Sequence, residues 1–71
     1  MKTKLSIIIQ SHLNDARIEA GSMNTEMARR SIMRMAFVQW LLFKYKNTSI
    51  EIDPDEEFDL FHTSYKVQTY R

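Results

Sequence analysis

Seventy-one residues with one glycine, no cysteine and a formal net charge of +1 make at most one small domain, spanning residues 1–71. A chain this short buries only about 60% of the surface its unfolded form exposes, and such chains lean on disulfides, metals or oligomerisation for extra stability. The lack of cysteine excludes disulfides and cysteine-based zinc sites, and two histidines do not suit a histidine-rich metal site, so oligomerisation is the helper left.

At the N-terminus, Lys2 and Lys4 precede Leu5–Ile9, an apolar run too short for the core of a secretory signal. Leu5, Ile9, Leu13, Ala16 and Ala20 fall on one face of a 3.6-residue helix with His12 at its edge, which predicts a first helix over about 3–20. Residues 4–9 also alternate and hold three consecutive isoleucines, so a strand is the competing reading there. Gly21 stands where a left-handed residue would end the helix.

Ser22–Thr25 is a connection rich in capping side chains, and Asn24 or Thr25 followed by Glu26 begins a second helix over about 24–46. Eleven of the fourteen residues from Ile32 to Tyr45 are apolar or aromatic, interrupted by Arg34, Gln39 and Lys44. The run is shorter than the roughly 20 apolar residues a bilayer span needs. We assign Ala28, Ile32, Met35, Gln39 and Phe43, with Met27, Val38, Leu42 and Tyr45, to the side facing the first helix. Phe37, Trp40 and Leu41 then project where Arg29, Arg30 and Arg34 began a polar side, and a helix apolar all round is normally buried all round.

Thr48–Asp53 is expected to be extended. Asp53-Pro54-Asp55-Glu56 starts a third helix over about 54–65, with Asp as N-cap, Pro at the first position and Glu at the third. Phe58, Phe61 and Tyr65 share one side of it and could lie on the second helix, and residues 66–71 are expected to fray. The fold expected is therefore mainly α: an antiparallel two-helix hairpin with a short C-terminal helix folded back.

Charge is unevenly placed. Residues 1–50 hold eight lysines and arginines against three acids, a net +5; residues 51–59 hold six acids and no base; residues 60–71 add Lys66 and Arg71. Asp53-x-Asp55-x-Glu57 has the first spacing of a calcium loop, but Phe58 stands where glycine is needed and Ser64 where the bidentate glutamate belongs. Helix-end chemistry accounts for most of these acids. His12 and His62 have no nucleophile or carboxylate at a telling spacing, and one glycine cannot build a phosphate loop, so no enzyme, metal or cofactor is expected. The candidate protein interface is Met33, Phe37, Trp40 and Leu41; Arg29, Arg30 and Arg34 are candidate contacts for an anionic partner.

Two resemblances bear on function. Gly21-Ser22-Met23-Asn24-Thr25-Glu26, with Arg30 after it, resembles the segment joining the helices of Arc-type ribbon-helix-helix repressors. That resemblance implies a dimeric DNA-binding regulator whose N-terminal strand reads the major groove through Lys2, Lys4 and Ser6, with phosphate held near Ser22–Thr25. Over the whole chain, His12-Leu13-Asn14-Asp15-Ala16, Phe43-Lys44-Tyr45-Lys46-Asn47-Thr48 and Ile50-Glu51-Ile52-Asp53 are similar to small uncharacterised helical proteins of gut Bacteroidota and their phages. This likeness implies an accessory protein, cytoplasmic or virion-associated, and no functional residues. The reading favoured is a small non-enzymatic interaction protein that self-associates or docks on a larger assembly through its apolar helix. Nucleic acid is the lesser alternative partner, and no membrane is expected.

Overall fold

The computed structural model describes the backbone of residues 1–69 and the side chains of residues 1–64. In chain order the elements are β1 (Thr3–Lys4), α1 (Leu5–Ala20), α2 (Thr25–Lys44), β2 (Glu51–Ile52) and α3 (Pro54–Thr69). Helices α1 and α2 form the expected antiparallel hairpin, and α3 folds back onto α2.

Residues 5–9 are helical. The strand character of this end is confined to Thr3–Lys4, which pairs antiparallel with Glu51–Ile52 in the register Thr3 to Ile52 and Lys4 to Glu51. Lys4, at the N-cap of α1, makes no capping side-chain bond. The backbone of the 48–52 segment does that work: the Leu5 and Ser6 N–H groups donate to the carbonyls of Ile50 at 2.8 Å and Thr48 at 3.0 Å. Two of the four amides a helix start leaves free are thereby satisfied from a segment more than forty residues away.

The other two helix starts follow local chemistry. The Asn24 side chain accepts from the Glu26 N–H at 2.8 Å, and Asp53 Oδ1 accepts from the N–H groups of Asp55 and Glu56. Helix α2 stops at Lys44, two residues short of expectation. Tyr45 is already extended there, and its N–H donates to the Leu41 carbonyl. Helix α3 runs to Thr69, four residues past the expected end, since neither glycine nor proline follows Pro54 to halt it. Of the segment expected to fray, 66–69 continue this helix and 70–71 lie outside the described residues. Gly21 ends α1 without leaving right-handed space (φ −76°, ψ −9°), its N–H bonded to the Arg17 carbonyl.

The core corrects the assignment of helix faces. Leu5, Ile8, Phe37, Leu41, Ile52 and Phe61 form it, with Met33, Trp40, Ile50 and Phe58 packed against it. Leu5, Phe37 and Leu41 are completely enclosed, and each such side chain stabilises the fold by about 1.5–3 kcal/mol through burial. On α1 the buried line runs Leu5–Ile8–Ala16; Leu13 and Ala20, which periodicity put inside, are exposed. On α2 the sides are largely exchanged: Phe37 and Leu41 lie inside and Ile32, Met35, Leu42 and Phe43 face outward, while Val38 is buried as its assignment required. Ser31 explains how close the two helices come. Its buried hydroxyl donates to the Ala16 carbonyl at 2.8 Å, so a small polar residue and an alanine form the contact line.

Candidate functional site

The four side chains expected to form a protein interface are occupied within the chain. Phe37 is a hub: Phe58 meets it edge-on with centroids 5.2 Å apart, Phe61 lies at 5.3 Å, and the ring of His12 reaches its other flank at 5.2 Å. Trp40 stacks on Phe37 and contacts Phe61. Leu41 is fully buried, and Met33 is half-buried beside the same cluster. Phe58 and Phe61 therefore cover the second side of α2, as their spacing suggested; the Tyr65 side chain lies outside the described residues.

The basic trio separates. Arg34 turns inward to α1, where its Nε donates to Glu19 at 2.8 Å, one terminal nitrogen donates to His12 Nδ1 at 3.0 Å, and Asp15 lies 3.6 Å away. Arg29 and Arg30 remain exposed on α2. His12 accepts from a cation through Nδ1, which requires the neutral ring. Burial first, and the Arg34 charge second, hold its pKa below the ordinary 6.5. Between α1, α2 and the start of α3 lies a cleft of about 570 Å³ whose walls include His12, Arg30, Met33, Phe58 and Asp59.

Sequence reasoning missed a buried carboxylate. Glu57, in the first turn of α3, is buried and accepts from Lys44 Nζ at 2.8 Å and from the Tyr45 hydroxyl at 2.6 Å. The bond to Glu57 raises the pKa of both donors above the ordinary range. Lys44 also sits over the Trp40 ring at 4.8 Å. The available signal was phase: Glu57 lies one helical turn before Phe61 and so shares its inward side. With Glu57 turned inward and Asp53 capping α3, the acids that suggested a calcium spacing point to separate tasks.

The residues proposed to read DNA do not form a ribbon. Lys4 belongs to the two-residue strand paired within the chain, Ser6 lies in the first turn of α1, and Lys2 precedes both. The strand that the ribbon-helix-helix resemblance requires over Leu5–Ile9 is replaced by helix, because backbone carbonyls from residues 48–50 cap that end.

Among the described residues large apolar side chains are also exposed at Ile7, Ile18, Met23 and Leu60, but four others gather on one element, the outer face of α2. Ile32 is 68% exposed, Met35 42%, Leu42 46% and Phe43 88%, with Gln39 exposed between them. None of these positions is charged. The spacing Ala28, Ile32, Met35, Gln39, Leu42 alternates four and three residues, the pattern of a helix-pairing seam. Monomeric proteins rarely expose contiguous apolar patches beyond a few hundred Å². No helix among the described residues is long and apolar enough to cross a membrane. No protein-family profile, curated protein or solved structure matches the chain.

Proposed function

We propose that this chain is a small non-enzymatic interaction protein that works as an accessory component by docking another polypeptide on the outer face of α2. The observation that carries the reading is the uncharged stripe Ile32–Met35–Leu42–Phe43, left solvent-facing although Phe37, Trp40 and Leu41 on the same helix are covered. Phe37 and Trp40 pack on the inner side of α2, and the helix presents Ile32, Met35, Leu42 and Phe43 on the other. An exposed phenylalanine at 88% supports no core and costs solubility, which fits a role in binding. The remainder of the fold serves to present the helix. The Arg34–Glu19–His12 contacts lock α1 to α2, and the Lys44–Tyr45–Glu57 contacts lock α3 to the end of α2.

A photo-reactive phenylalanine analogue at Phe43 tests this in the cells that make the protein. A covalent adduct to a polypeptide is expected from position 43 and not from a polar control such as Gln10 on α1. Equal, background labelling at both positions would refute the reading.

A further inference from the structure

We infer that the occupant of this face is a second copy of the chain, paired antiparallel along α2; the inference rests on the docking function proposed above and names its partner. The seam is self-complementary in that direction. In an antiparallel pair of heptad helices each core position of one type meets the other type on its partner. Ile32 then lies against Leu42 of the second copy and Met35 against Gln39, and the two-fold axis passes close to residue 37. The flanking positions agree. Ala36, half-buried at the edge of the stripe where it also packs against the core, meets its own counterpart near the axis, and its small side chain permits close approach. Arg29, exposed at one end, meets Phe43, the most exposed residue of the stripe, so that a guanidinium covers an aromatic face. Antiparallel packing also sets the two helix dipoles head to tail.

The area is adequate. From the exposures given above and the known size of such side chains, the four stripe residues present on the order of 500 Å². Two copies would bury at most about 1,000 Å², the lower bound for a specific interface and the size of a weak, concentration-dependent dimer.

The test uses the full chain. Sedimentation equilibrium is expected to give a concentration-dependent dimer. Ile32→Glu and Leu42→Glu are each expected to weaken it by roughly tenfold or more, because each places an unpaired carboxylate in the seam. Both positions face solvent in the single chain, so helix content by circular dichroism should not change. The protein has no cysteine, so Ala36→Cys introduces one thiol per chain, and mild oxidation is expected to link two copies through it. A monomer at the highest soluble concentration overturns the inference, as does a dimer unaffected by both glutamates or unlinked at position 36. If the chain is monomeric and the Phe43 photoprobe captures a different polypeptide, the second copy is excluded and the docking function stands. If the probe captures nothing, both fall.

Discussion

Gly21→Ala separates a local reading of helix ends from the tertiary one. A glycine at the close of an amphipathic stripe suggests a left-handed residue, where alanine would cost about 1–2 kcal/mol. In the folded protein the φ angle is −76°, and a methyl group added at that Cα would meet the Arg17 and Ile18 carbonyl oxygens at 3.6 Å, ordinary van der Waals contact. The native conformation is therefore open to alanine without strain. The gain comes from the unfolded chain, which loses freedom when glycine is replaced, and amounts to about 0.4–1 kcal/mol. For a domain of this length that is a rise in Tm of roughly 2–8 °C. Thermal unfolding followed by circular dichroism, with urea midpoints as a second measure, reads it directly. A fall in Tm of several degrees would refute the assignment of Gly21 to right-handed space and restore the left-handed cap.

Three further outcomes follow from the packing. Tyr45→Phe removes one donor from the buried Glu57 carboxylate and is expected to cost about 1–3 kcal/mol, while Lys44→Met strips its countercharge and costs more, about 3–5 kcal/mol before allowance for the partial exposure of the lysine; urea midpoints that leave Lys44→Met the milder variant would contradict this arrangement. Phe37→Ala should cost about 3–5 kcal/mol, whereas Ile32→Ser at the outer face should change the unfolding free energy of the monomer by less than about 0.5 kcal/mol, so comparable losses at both sites would show that the helix faces are misassigned. Acid should weaken the fold in two windows. His12 is held below 6.5 by burial and by Arg34, so its contribution is complete above 6.5 and is lost as the pH falls through its folded-state pKa. Desolvation opposes ionisation of Asp53, but the Glu56 and Asp55 amides and the Met1 ammonium outweigh it, holding its pKa below 3.8, so its stabilisation is complete above 3.8 and is lost as the pH falls through the lowered value. His12→Gln should abolish the upper window in Tm against pH and leave the lower one; persistence of both would assign the upper window elsewhere.

The sequence by itself determined the helical class, the hairpin and the start of each of the last two helices. Those features are set by neighbours within four residues: Asn24 before Glu26, Asp53 before Pro54, and the 3.6-residue recurrence of apolar side chains. It also placed Phe58 and Phe61 on the second side of α2. Tertiary structure decided which side of α2 is covered and by what. Ile32, Met35 and Phe43 have the same apolar character as Phe37 and Leu41, so periodicity identifies two stripes without ranking them. The ranking comes from contacts remote in sequence: Ser31 lying on Ala16, Arg34 reaching Glu19, and the rings of Phe58 and Phe61 closing on Phe37. Likewise Leu5–Ile9 could be strand or helix on local grounds, and the carbonyls of Thr48 and Ile50 settle it by capping the helix from across the fold. Local propensity specifies elements through short-range hydrogen bonds, whereas the side of a helix left for a partner is fixed only when the rest of the chain has covered the other.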